Sequence, residues 1–381
     1  MKNILFVIPK LSTGGTNSSL DALYSILKER YKIVVFAMSH HPKNHRYSFD
    51  EVLLPQKRKL SLIFSNFADQ KGLTKLPALW YKMVRSLYKV LGKDYLLVYG
   101  KKVVAELEES SNFDCVVAFE EGKATVFTSF FSNPNKIGWI HCNYDKYLPK
   151  GQSEEEVYNA YQKVICVSQY TASVFAKRYP ALAERTMAIH NLIDADKVKR
   201  LAEEPIDDKR FMTHEITLLS IGRFSSVKRF REIPVIAAEL KKRGIKFVWY
   251  VLGPGEGTEE AVIFINHLKK YEMDDCVKWL GGKSNPYPYF KASTIYVCVS
   301  ETEACPMVFK EAQLLGLPIV TTDFPSSYEF VKEGEGIITP FEKIADSIVT
   351  MINQIKSDNC YTRVENADKQ IINQLIYLFD S

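Results

Sequence analysis

No run of about 18 consecutive apolar residues occurs anywhere in the 381-residue sequence, so no membrane-spanning helix is expected. Cysteine is sparse and unpatterned. Cys115, Cys142, Cys166, Cys276, Cys298, Cys305 and Cys360 form no C-x-x-C pair, and several sit in apolar strand-like runs, which reads as buried reduced thiols rather than a metal site. No cleavage-site pattern follows the short apolar run Ile4 to Ile8, so a cytoplasmic protein is expected and a secreted solute-binding protein is not. Low-complexity tracts and short internal repeats are missing. Gly253-Pro254-Gly255-Glu256-Gly257 lacks the G-x-G-x-x-G spacing, which argues against a nicotinamide cofactor.

What remains is ordinary globular composition, 46% hydrophobic and 25% charged. At about 150 residues per domain, the length favours two domains. The apolar β-branched runs Ile4 to Ile8 and Ile33 to Ala37 flank Ser18 to Arg30, whose Leu20, Leu23, Tyr24 and Leu27 repeat at helical spacing. Cys115 to Phe119, Lys136 to Ile140 and Val164 to Val167 continue the strand series, and Tyr170 to Arg178 reads as a helix. A second series, Ile216 to Ser220, Phe247 to Leu252, Val277 to Leu280, Ile295 to Val299 and Pro318 to Thr321, follows the charged stretch 194–215. Alternation of this kind predicts two Rossmann-like α/β domains of parallel strands facing across a cleft, with ligands at the carboxyl ends of the strands. The expected division is 1–209, 210–360 and a last helix over 361–381, with a hinge near 195–212.

Charge is unevenly spread. Residues 41–105 hold 13 basic and 4 acidic side chains, a net of +9 that leaves −4 for the rest of the chain. Within them Leu76, Trp80, Met83, Leu87 and Leu91 form a helical stripe interspersed with Lys75, Lys82, Arg85 and Lys89. The stripe reads either as a membrane-surface face, giving the region 57–102 a peripheral membrane contact, or as a packed surface helix with solvated lysines. No nucleic-acid module accompanies the charge, so nucleic acid is not an expected partner.

Two short segments carry the chemistry. Ile216 to Ser220 runs into Ile221-Gly222-Arg223 and on to Lys228, a glycine turn followed by two cations suited to a diphosphate, the arginine gripping bidentately and the lysine as a point charge. After Ile295 to Val299 comes Glu303, then Ala304-Cys305-Pro306-Met307-Val308, then Glu311. That spacing puts Glu303 in a strand-to-helix loop and Glu311 one to two turns into the helix, beside free amides that attract an anion. The literal D-x-D of Asp194 and Asp196 reads as a helix cap rather than a metal site.

In these residues, and in Gly14-Gly15, Ile137-Gly138-Trp139-Ile140-His141, Val167-Ser168, His190-Asn191-Leu192-Ile193-Asp194, Leu252-Gly253-Pro254-Gly255 and Asn285-Pro286-Tyr287, nearly the whole chain resembles the retaining glycosyltransferases of family 4. The resemblance implies the two-domain GT-B fold, with the C-terminal helix packing back on the N-terminal acceptor-binding domain. It implies transfer of a sugar from a nucleotide-sugar donor, a UDP-sugar being the commonest, to a glycan or lipid-linked acceptor in capsule, exopolysaccharide or other cell-surface polysaccharide synthesis. No metal or cofactor is then required, because the nucleotide-sugar is a substrate. Teichoic-acid or glycolipid transfer, and a catalytically silent GT-B partner subunit, are the alternatives.

Carried over residue by residue, Arg223 and Lys228 hold the diphosphate, Glu303 a sugar hydroxyl and Glu311 the ribose, and His141 lies near the reacting sugar. Gly14, Gly15, Gly222, Gly253, Lys278, Cys305, Pro306, Met307 and Val308 complete the donor site. Where many relatives carry Gly-Phe after the first glutamate, this chain has Ala304-Cys305, which alters the loop that contacts the sugar.

Overall fold

The computed structural model describes residues 1–11, 14–40, 47, 49–54, 83, 86–87, 90, 95–148, 152–357 and 368–380. They fall into two compact units, Met1–Leu192 with Ile371–Ser381, and Ile193–Gln370.

The first unit is built on a seven-stranded sheet: β1 (Asn3–Leu11), β2 (Lys32–His40), β3 (Val52–Leu53), β4 (Cys115–Ala118), β5 (Lys136–Ile140), β6 (Lys163–Cys166) and β7 (Thr186–Ala188). The order is β3-β2-β1-β4-β5-β6-β7 and every pairing is parallel. Strand order therefore reverses between β1 and β4, where an open α/β sheet offers its ligand crevice. Helix Gly15–Leu27 returns the chain from β1 to β2, burying the anticipated Leu20, Leu23, Tyr24 and Leu27. Ser168 caps helix Gln169–Arg178, its hydroxyl accepting from the Thr171 amide.

The second unit holds β8 (Thr217–Ile221), β9 (Val248–Leu252), β10 (Val277–Gly281), β11 (Ile295–Cys298), β12 (Ile319–Thr322) and β13 (Gly336–Thr339). They form a parallel six-stranded sheet ordered β10-β9-β8-β11-β12-β13, so here the reversal lies between β8 and β11. Alternate residues feed opposite layers: Leu218, Trp249, Val251 and Val297 pack on one face, Leu219, Tyr250, Leu252 and Tyr296 on the other. Both faces are covered, which explains why these strands read as continuous apolar runs rather than alternating ones. The fold class is the one expected, two Rossmann-like α/β units, with a C-terminal helix that packs on the first.

That helix, Asp368–Asp380, buries Ile371, Leu375, Leu378 and Phe379, leaving Ile372 and Ile376 half-buried. The Lys2 ammonium donates to the Phe379 carbonyl at 2.8 Å, Tyr31 Oη donates to Asp380 at 2.9 Å, and the Phe379 ring meets Phe6 and Tyr31 edge-on.

The division between units falls at Leu192/Ile193, not at 209/210, and the segment 195–212 is no free hinge. Its first part is helix Ala195–Ala202, and its second part is fastened to the end of β10 and to helix Tyr287–Lys291. Asn285 donates to the Leu201 carbonyl and to Glu204, both at 2.8 Å; Lys283 pairs with Asp208 at 2.7 Å, and Tyr289 donates to Asp207 at 2.7 Å. Arg210 and Lys283 together hold the Asp208 carboxyl well below the usual carboxylate range. High charge alone suggested a solvated linker; the partners that make these residues part of the second unit lie some 75 residues further on, at Lys283.

Of the basic stripe, Leu76, Trp80, Leu91, Lys75, Lys82, Arg85 and Lys89 lie outside the described residues, as does Cys360, while Met83 and Leu87 are exposed.

Candidate functional site

The turns leaving β8 and β11 meet at the reversal of the second sheet. The turn after β9 needs glycine for a steric reason. Gly253 has φ +148, and a Cβ there would lie 1.7 Å from the Gly222 carbonyl oxygen, so the chain after β9 passes in contact with the chain after β8 only because no side chain intervenes. Gly222 donates to the Leu252 carbonyl at 2.9 Å, and Trp279 Nε1 donates to the Gly253 carbonyl at 2.9 Å. Gly253 thus also has a purely structural task, whereas a Cβ on Gly222 would come within 3.2 Å of the Phe230 ring. Arg223 then projects as an exposed side chain, and the 3-10 turn Ser226–Lys228 carries Lys228 inward.

Lys228 Nζ donates to Glu303 Oε1, and the Ser300 hydroxyl donates to the same oxygen at 2.7 Å. The Ser326 hydroxyl donates to the Glu303 carbonyl at 2.6 Å and fixes the loop from behind. With side chains only 24% and 13% exposed, Lys228 and Glu303 are a largely desolvated pair, and removing either strands a charge. Burial by itself would depress the lysine; the Glu303 carboxylate outweighs it and holds Lys228 above its ordinary value, while the nearby Arg223 charge pushes the other way.

The helix after Glu303 runs Met307–Leu314 with Pro306 at its N-cap, so Glu311 stands in its second turn as the spacing predicted. Glu311 is buried, and Tyr287 Oη donates to its Oε1 at 3.1 Å. Cys305 and Val308 are half-buried between the two glutamates, Pro306 and Met307 buried. The structure therefore brings together Gly222, Arg223, Lys228, Gly253, Glu303, Cys305, Pro306, Met307, Val308 and Glu311 on adjacent loops of one unit.

It does not bring in Lys278. That residue is second in edge strand β10, away from the carboxyl ends of the strands, and its ammonium is spent on the Asp274 carbonyl. Asp194 caps helix Ala195–Ala202, accepting from the Lys197 amide at 3.0 Å. Ser300, Ser326 and Tyr287 escaped the sequence reading. A serine three residues before a glutamate carries no distinctive signal; only Tyr287, in the motif Asn285-Pro286-Tyr287, was on the page as a pattern without a role.

In the first unit, Gly14 and Gly15 stand exposed at the start of helix Gly15–Leu27, and a Cβ on Gly14 would meet nothing within 4 Å. Among the described residues, packing does not demand glycine at position 14. His141 directly follows β5. Its ring lies 4.7 Å from Phe119 and stacks on Trp139 at 6.3 Å between centroids, its amide donates to Glu121 at 2.9 Å, and its buried Nε2 has no partner among the described residues. Burial pushes the imidazole down to about 3, so it is neutral at physiological pH. A neutral ring can make one hydrogen bond; it does not supply positive charge.

Residues 202–374 match the family model described as glycosyl transferases group 1. An uncharacterized glycosyltransferase of Methanocaldococcus jannaschii is 22% identical over 66% of this chain, and the match spans 62% of that protein's length. The O-antigen biosynthesis glycosyltransferase WbnH of Escherichia coli is 21% identical over 94% of this chain and 91% of its own. Among solved structures, Anabaena HepE in complex with UDP and glucose superposes with a TM-score of 0.66 at 18% identity, covering 100% of this chain and 98% of HepE. A TarM variant from S. aureus, solved with fondaparinux, α-GlcNAc-glycerol and UDP, gives 0.68 at 13% identity over 100% of both chains. The family-model match is confined to residues 202–374, and the solved structures share the GT-B fold with this chain.

Proposed function

We propose that this chain is a group 1 glycosyltransferase that moves a sugar, with retention of anomeric configuration and without a metal, from a UDP-sugar to a glycan acceptor in cell-surface polysaccharide synthesis. The observation that carries the reading is the Lys228–Glu303 pair beside Arg223 and the helix start at Met307, all at the strand-order reversal of one Rossmann-like unit. Preorganised positive charge at that point stabilises the negative charge that develops on a departing nucleoside diphosphate. In the step proposed, the bond from the anomeric carbon to the diphosphate oxygen breaks and a bond to the acceptor oxygen forms. The acceptor hydroxyl proton passes to the leaving β-phosphate, so no protein base is obligatory. Glu303, released in part from Lys228 by the donor phosphates, takes a sugar hydroxyl, and Glu311, oriented by Tyr287, takes the ribose. His141 keeps the role toward the reacting sugar that the resemblance implies, as a neutral hydrogen-bonding group, and Gly14 and Gly15 theirs toward the phosphates.

The acceptor is proposed to be lipid-linked and the protein cytoplasmic, peripheral on the membrane through the basic region 57–102; cosedimentation with anionic but not neutral vesicles tests that contact. Similar proteins, WbnH of O-antigen biosynthesis and a TarM variant solved with α-GlcNAc-glycerol, are compatible with either a polysaccharide or a teichoic-acid type acceptor. Thermal stabilisation across UDP, GDP, ADP and their sugars tests the donor site, because a ligand specific to the folded state adds RT ln(1 + [L]/Kd). Stabilisation by none of them overturns the reading and favours a silent partner subunit. Where transfer is detected, NMR of the product reads the anomeric configuration.

A further inference from the structure

Two ion pairs, not one, join the turn after β8 to the loop after β11. Beside Lys228 and Glu303, Arg229 Nη2 lies 3.8 Å from Glu301 Oε2, and the guanidinium sits 5.1 Å from the centre of the Phe341 ring. The Glu301 amide donates to the Val227 carbonyl at 2.7 Å, so the loop is tied to the turn on both sides of Lys228. Arg229 adopts the left-handed conformation, φ 51 and ψ 27, which among the described non-glycine residues only Glu272 shares in having a positive φ. Glycine would take this backbone without strain. The arginine's presence is therefore explained by its side chain, and strain of this kind collects where structure serves a site.

We propose that Arg229 is a positioning residue: held by Glu301 and Phe341, it keeps the loop after β11 in register with the turn after β8 and so sets Lys228 against Glu303. The proposal rests on the donor-site reading for its effect on turnover, and on loop geometry alone for its effect on Glu301. The test compares wild type with R229G, which keeps the left-handed turn but removes the strut, and R229K, which restores a cation. In R229G the expected results are a kcat lowered about tenfold or more, a smaller change in donor KM, a thermal midpoint equal to or above wild type, and faster exchange of the Glu301 amide. R229K recovers much of the lost kcat.

Wild-type kcat in R229G overturns the proposal, and so does a loss of kcat accompanied by a matching fall in thermal midpoint, which would mark a merely structural residue. Should wild type turn over none of the donors, the function reading fails separately. Glu301 amide exchange then decides the strut: faster in R229G sustains it, unchanged overturns it.

Discussion

The two sheets reverse strand order in the same way and furnish the reversal with opposite chemistry. At the second, Arg223, Lys228, Glu303 and Glu311 gather cations and carboxylates, with one pair largely out of water. At the first, two exposed glycines follow β1, with no packing contact among the described residues to explain glycine at position 14, and the loop after β5, one strand beyond the reversal, presents a neutral imidazole among Phe119 and Trp139. A common topology thus fixes where a site can be but not what it recognises. The charged reversal has the chemistry to hold an anion, and the aromatic face beside His141 has the chemistry to pack against an uncharged ring.

The comparison breaks most readily at the cations. Arg223→Ala or Lys228→Ala is expected to lower kcat roughly a hundredfold or more, the cost of one preorganised group facing developing charge, about 3 kcal/mol. Arg223→Ala should do so with stability within about 0.5 kcal/mol of wild type because that side chain is exposed, whereas Lys228→Ala also strands Glu303. Near-normal turnover in purified Arg223→Ala would remove the charged site from the argument.

Glycines sharpen the contrast. Gly253→Ala drives a Cβ into the Gly222 carbonyl at 1.7 Å and should lower the urea midpoint of unfolding by the equivalent of several kcal/mol, about 3 or more. Gly14→Ala meets nothing and should leave that midpoint unchanged, so any effect there appears in turnover instead.

A smaller effect is expected at Glu311. Saturating nucleotide, at about a hundred times Kd, adds about 2.7 kcal/mol to wild type. Glu311→Ala should abolish most of the resulting shift in thermal midpoint, whatever the change in the unliganded protein. A full shift in the variant would free Glu311 from the ribose.

At His141 the expected effect is on the pH dependence of stability rather than on turnover. Its folded-state value of about 3 lies below the unfolded value of about 6.5. The unfolded chain therefore binds the extra proton between these values, and stability present above pH 6.5 is lost as the pH falls toward 3. Replacing His141 with Phe should flatten urea midpoints over that range by up to about 1.4 kcal/mol per pH unit relative to wild type. Identical pH profiles would mean the ring is solvated and charged.

Much of this was legible locally. Ten strands, the first and last helices and the placement of Glu303 before, and Glu311 inside, one helix follow from apolar runs and spacing, because a strand buried on both faces must be apolar throughout. The short edge strands β3, β7 and β13 did not announce themselves, being two to four residues long and partly exposed. Lys278 looked as good a cation as Lys228; its distance from the carboxyl ends of the strands is a property of the sheet, not of the segment.

The sequence by itself determined two α/β units, the order of their elements and which short segments hold the chemistry, since periodicity and residue type act over a few turns of chain. Tertiary structure alone decided that 193–209 belongs with the second unit, that Gly253 yields to a carbonyl after a different strand, and that His141 is neutral. It also decided that Lys228 and Arg229 find Glu303 and Glu301 some 75 residues away. Each depends on a partner remote in sequence, and contact, burial and electrostatic pairing are set by what the fold places within a few ångströms rather than by what the chain places next.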